Sequence, residues 1–322
     1  MTATSGVWHC VKLDGNGACA PAAIPTSISD PITDPTWLHL DLTQPNSHVW
    51  LKQSGLSEIA LNGLIAEVTR PRAITRGDKL QLTLRGVNLN EGESVDDMVS
   101  ARLWTDGTLL ISTQLRRLKS TEDVFQRLSE GRGPRHIAEL ICNWTDRLVE
   151  RMTSSVMTLE NQLDQLETSD DLLSPKYSRA LAELRKTSVS LLRYLNPLND
   201  ALLTLIAHPL GWFEPNNTVI QLQDISHRLA RHIESLNSVS DRATILHDTR
   251  QTQMAEAMNS RMYLLSIVAA IFLPLGFLTG LLGINVAGMP GADDPAAFWW
   301  VAGGCGLILS GLVAVFRLKR WL

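Results

Sequence analysis

The chain has 322 residues and a formal net charge of −4, with 44% of its residues hydrophobic, 19% charged and 6% aromatic. At roughly 150 residues per domain, that length accommodates about two structural units. Its 21 glycines and 14 prolines exclude collagen-like and largely disordered chains, and the acidic balance excludes a nucleic-acid binder that works through a broad basic face.

Residues 1–134 read as an α/β domain. VWHCVKLD and TWLHLDL alternate like half-buried strands, and Asn46–Ser47 is expected to cap a helix through HVWLKQSG. His9–Cys10 and His39–Leu40–Asp41 read as isolated strand positions rather than a cluster. KLQLTLRGV and SARLWTDGTLLISTQ look like further strands, with Asp106–Gly107 suited to a tight hairpin turn. Thr121 precedes EDVFQRLSEGRG, a short helix ended by glycines. The opening MTATSGVWHC has neither a charged start nor an apolar stretch, so no signal peptide is expected. Cys10, Cys19, Cys142 and Cys305 lack CxxC spacing and suit a reduced compartment.

Residues 135–261 change to long helices. Ile137, Ile141, Trp144, Leu148, Met152, Val156, Leu159, Leu163 and Leu166 step by three or four, the mark of an amphipathic helix packing on a partner. Ser174–Pro175 starts a second helix, and Pro209, Gly211 and Pro215 punctuate the turn after it. A third helix begins near Thr218 and meets no proline before Pro274. Run to Leu282 it would hold about 65 residues, roughly 97 Å at 1.5 Å per residue.

Residues 262–322 form the third part. Met262–Ala292 carries no charge, and its apolar portion, residues 263–282, has about the length needed to cross a bilayer. Residues 296–316 make a second such stretch, with Trp299 and Trp300 placed like interfacial anchors. Arg250 and Arg261 precede the first span, and Arg317, Lys319 and Arg320 follow the second, while the loop between them holds Asp293 and Asp294. Positive flanks stay inside, so both termini are expected to be cytoplasmic and the protein to sit in a bacterial-type inner membrane, against lipid. The residues after Arg261 carry two carboxylates and three cations, which leaves −5 on the first 261.

Two helices cannot enclose an aqueous path, so transport would require several copies. Ala302, Gly306, Ser310 and Ala314, and also Gly276 and Gly280, would let spans approach closely. At the external end of the first span, Gly283–Ile284–Asn285 sets an amide oxygen among exposed carbonyls. A ring of such oxygens can accept hydrogen bonds from the waters of a hydrated cation.

FLPLGFLTGLLGIN, the short loop with Met289–Pro290–Gly291, the second span and the basic end resemble the CorA family of divalent-cation transporters. The family hallmark is Gly-Met-Asn, where this chain has Gly283–Ile284–Asn285. That departure, Gly288–Met289–Pro290–Gly291 and WLHLDLTQPNSHVWL are similar to the ZntB zinc-transporter branch, although isoleucine is common there at the position of Met289. The resemblance implies a funnel-shaped homopentamer: an α+β cytoplasmic domain, long stalk helices and a C-terminal two-helix transmembrane hairpin. It implies a selectivity mouth of Gly283, Ile284 and Asn285, and a pore lined by Met262, Leu265, Ala269, Leu273 and Gly276. Helical spacing independently puts that lining set on one face. The resemblance also gives Asp248 a metal-binding role. Asp293 and Asp294 would form an external acidic ring that concentrates cations.

The function expected is proton-linked zinc import, with other divalent cations possible. No Asp, Glu, His, Lys or Arg lies within either span, so a cation stripped of water would find no protein ligand set of the kind zinc prefers. It is expected to pass partly hydrated, with no resident cofactor. The alternatives are a magnesium, cobalt or nickel channel of the same family and a two-span anchored sensor or scaffold. No P-loop, GxSxG, HExxH or CxxC motif is present, so no enzyme and no nucleic-acid partner is expected.

Overall fold

The computed structural model describes residues 6–90, 92–94, 97–169, 172–284 and 294–319. The chain folds as two compact units, Met1–His247 and Asp248–Leu322. The first is built on a mixed sheet. Its strands are β1 (Val7–Leu13), β2 (Cys19–Pro21), β3 (Thr36–Asp41), β4 (Arg72–Arg76), β5 (Lys79–Gly86), β6 (Val99–Thr105) and β7 (Leu109–Gln114). They lie in the order β2-β1-β3-β7-β6-β5-β4, with β3 and β7 parallel and every other neighbour antiparallel.

Successive side chains of a strand point to opposite faces, and both faces of this sheet are covered. Leu38, Leu40, Leu109 and Ile111 turn one way, onto α1 (Pro45–Gln53) and α2 (Glu58–Ile65). Trp37, Leu82, Leu84 and Leu110 turn the other way, into the main core. That core is closed by α3 (Lys119–Ser129), α4 (Ile137–Glu167), α5 (Pro175–Ala207) and α6 (Ile220–Leu282). The stripe on α4 from Ile137 to Leu163 is buried along its length, as its spacing requires. Ser174 caps α5 by accepting from the Tyr177 N–H at 3.1 Å. A single π turn, Pro215–Val219, leads into α6, which runs 63 residues.

Three details differ from the sequence reading. Asn46 and Ser47 do not cap α1. Gln44 holds the cap position without a side-chain bond, because Pro45 starts the helix where its missing N–H costs nothing. Ser47 Oγ instead donates to the Gly6 carbonyl at 2.7 Å. Helix α3 begins at Lys119, so Thr121 lies buried in its first turn. The short elements β2, α2 and β4 carry patterns too brief to stand out.

Arg102 fastens α2 to the sheet. It is 2% exposed, and its Nε and Nη2 donate to the carbonyls of Ala66 and Glu67 at 2.6 and 3.3 Å. A cation at a helix C-terminus meets its unpaired carbonyls and the negative end of the dipole. Burial lowers the Arg102 pKa to about 10, so the guanidinium stays charged at neutral pH.

The β6–β7 hairpin turns at Asp106–Gly107, where Gly107 has φ +98°. A Cβ there would meet Trp212 Cγ at 2.8 Å, and that indole is held by its Nε1 donating to the Asp78 carbonyl at 2.7 Å. Gly107→Ala therefore combines left-handed strain with a clash. It is expected to cost about 1–3 kcal/mol, read as a lower thermal midpoint of the purified full chain.

The second unit holds the last part of α6, from Asp248, and α7 (Ala297–Leu318). Pro274 lies inside α6, so the Ala270 carbonyl lacks its usual helical donor. Both helices contain stretches long and apolar enough to cross a membrane.

Candidate functional site

The first candidate span is the uncharged end of α6. Met262, Leu265, Ala269, Leu273 and Gly276 follow one another at intervals of three and four, so the helix carries them on one face. All five are exposed in the single chain, Leu265 by 70% and Leu273 by 77%. Large apolar side chains left this open on a helix need either lipid or another copy against them.

The aliphatic hydroxyls of this stretch, on Ser266 and Thr279, are turned back on the helix. Ser266 Oγ donates to the Met262 carbonyl at 2.9 Å, and Thr279 Oγ1 to that of Leu275 at 2.9 Å. The face is therefore apolar toward Met262 and bare backbone at Gly276 and Gly280, where a Cβ would meet nothing within 4 Å. The helix ends at Gly283, whose N–H donates to the Thr279 carbonyl at 2.9 Å. Ile284 follows, 49% exposed. Asn285, the remaining member of the mouth, lies outside the described residues, as does Asp293.

Asp294 is exposed ahead of α7. Its Oδ1 accepts from the Ala296 N–H at 2.8 Å and its carbonyl from the Ala297 N–H at 3.1 Å, so it organises the start of that helix. Asp248 is exposed on α6, and its carbonyl accepts from Thr252 Oγ1 at 3.1 Å. Among the described residues, no three of His, Cys, Asp and Glu come together in a group able to hold a metal ion.

The structure brings together what the sequence left apart in the first unit. His9 lies opposite His39 where β1 and β3 pair, their rings 6.2 Å apart, and Phe125 stacks on His9 at 3.6 Å. Trp37 and Trp144 complete the cluster, 5.3 Å from one another. His39 is fully buried, its Nδ1 2.7 Å from Ser112 Oγ, which also accepts from Trp37 Nε1 at 2.7 Å. The indole has only a proton to give, so Ser112 Oγ accepts from Trp37, and its own proton has two acceptors in reach, His39 Nδ1 and the Leu38 carbonyl at 3.5 Å. The signal available in the sequence was the alternation of Trp37, His39 and Asp41 on one face of β3.

The family model described as CorA-like Mg2+ transporter protein matches residues 33–320. The chain belongs to the CorA family. Among its relatives is the divalent cation transporter CmaX of Pseudomonas aeruginosa, 38% identical over 295 residues, covering 89% of this chain and 87% of the relative. The zinc transport protein ZntB of Yersinia enterocolitica is 34% identical over 320 residues, with 98% and 95% covered. Among solved structures, full-length CmaX superposes with a TM-score of 0.84 at 34% identity, covering 99% of each chain. The CorA magnesium transporter of Methanocaldococcus jannaschii shares the fold, with a TM-score of 0.79 at 21% identity over 98% of this chain and 99% of that one.

Proposed function

We propose that this CorA-family chain carries divalent cations across the inner membrane, zinc first among them, as a homopentameric funnel whose pore is lined by the first span. The observation that carries this reading is the uncharged face from Met262 to Gly276, which runs without a break in the helix to Gly283 and the Asn285 that follows. Relatives named for divalent cation and zinc transport match nearly the whole chain and support it. Both termini lie in the cytoplasm, and import is linked to protons.

An apolar helix face strips no water from a divalent cation, because hydration is too strong to be replaced by methyl groups. The cation therefore travels with water around it. Asn285 oxygens, arranged as a ring, accept hydrogen bonds from that shell and set the entry step. Asp294, with Asp293, raises the local cation concentration at the mouth. Asp248 faces the cation on the cytoplasmic side. No catalytic step is assigned to any residue.

The test is zinc flux into proteoliposomes holding the purified protein, with and without an acidic exterior. Asn285→Ala is expected to slow entry roughly tenfold, the equivalent of about 1.4 kcal/mol at the entry barrier. Undiminished flux in that variant removes Asn285 from the mechanism. Entry that ignores the pH gradient converts the importer into a passive channel, and competition by magnesium, cobalt or nickel at equal concentration reassigns the cargo. No flux of any of these cations, from folded pentameric protein, overturns the reading.

A further inference from the structure

Strand β4 is the last in the sheet, paired with β5 on one side, and no strand lies beyond it among the described residues. The ten residues Arg70–Lys79 around it carry Arg70, Arg72, Arg76 and Lys79 against a single carboxylate, Asp78. All four cations are exposed, and none takes part in a salt bridge among the described residues. The contact made by Lys79 is with the face of the Trp104 ring at 6.0 Å. Elsewhere in the unit Arg116, Arg147, Arg151, Arg228 and Arg242 all reach carboxylates. The basic edge is therefore unneutralised in a chain whose net charge is −4.

Ala73 packs against the main core, so by the alternation of a strand Arg72, Ile74 and Arg76 share the opposite face. A terminal strand also presents a row of backbone N–H and C=O groups that another extended segment can pair with. We propose that this edge is a docking site for an extended acidic segment of a partner protein, added as an eighth strand beside β4 with its carboxylates on Arg72, Arg76 and the flanking Arg70 and Lys79. The two demands of the site select that occupant together. Its charge asks for carboxylates, and its open edge asks for a backbone in strand conformation. An anionic lipid surface meets only the first demand. The proposal does not depend on the transport reading.

Charged side chains on an edge strand also keep copies of a protein from pairing edge to edge, and the experiment separates that role from docking. The full chain in neutral-lipid nanodiscs is titrated into a fluorescein-labelled peptide of alternating glutamate and valine, read by fluorescence anisotropy. Binding is expected in the micromolar range, weakening with added salt. It should weaken about tenfold or more in Arg72→Glu/Arg76→Glu, with the uncharged Arg72→Gln/Arg76→Gln in between. The same peptide N-methylated at alternate residues should bind at least about tenfold less well, because it cannot pair with the edge. Unchanged thermal midpoints in both variants keep a loss of binding from being a loss of fold. Equal binding of the N-methylated peptide overturns strand addition. Capture by phosphatidylserine vesicles without peptide binding overturns the protein partner in favour of lipid. Binding to neither leaves the arginines as guards of the edge and overturns the proposal.

Discussion

Trp144→Ala is expected to destabilise the first unit by about 3–5 kcal/mol, the usual range for removing a large aromatic side chain from a closed core. Trp144 is completely buried in the third turn of α4, 5.3 Å from the Trp37 ring and 6.0 Å from that of His39. Its indole joins α4 to the two central strands β3 and β7 through the same cluster. Its ring neighbours Trp37 and His39 are both held by Ser112, which limits how far they can swing into the space. Trp144→Phe should cost less, because Trp144 Nε1 has no hydrogen-bond partner among the described residues and only ring volume is lost. Val189→Ala, on a side chain 52% exposed, is the control and should shift stability by less than about 0.5 kcal/mol. The measurement is urea unfolding of the full chain in neutral detergent, followed by far-UV circular dichroism. A loss under about 1 kcal/mol for Trp144→Ala would show that the cluster does not hold α4 to the sheet.

What the sequence made legible is what repeats along one element. The stripe on α4 and the face from Met262 to Gly276 are both written at helical spacing, and each lies on one face of one helix. Pairing between distant strands carries no such local signal. Nothing near His39 announces that β7, more than seventy residues away, will set Ser112 beside it, or that His9 will lie opposite. The helix α2 was equally silent, since its Gly63 reads as a breaker. A Cβ there would meet Gln81 Nε2 at 1.3 Å, so the end of that side chain occupies the space the glycine leaves. At the span's mouth, position at the end of the apolar run, together with family likeness and not periodicity, singled out Gly283, Ile284 and Asn285. The basic edge was missed because its four cations are scattered over ten residues, and only the strand order puts them on a rim.

Lowering the pH is expected to weaken the fold through His39. Burial, and secondarily the neighbouring His9, lowers its pKa to about 3, against a value near 6.5 in the unfolded chain. Between those limits the unfolded state binds a proton that the folded state refuses, so stability rises with pH across the window and is lost as pH falls through it. The loss approaches about 1.4 kcal/mol for each pH unit below 6.5. His9, also lowered by burial, adds in the same direction at the upper end. His39→Phe preserves an aromatic ring in the cluster but removes the titration. It should cost about 1–3 kcal/mol at neutral pH, because Ser112 loses its partner at Nδ1, and it should flatten the decline between pH 6.5 and 4. Urea midpoints of both proteins over that range decide the matter, and parallel curves would rule His39 out as the source. The same chemistry limits what this residue does in transport. In the folded chain His39 remains neutral at every pH above about 5, so whatever pH dependence the cation flux has should survive in His39→Phe. His39 would then tie the stability of the first unit to acid without setting the pH response of the flux.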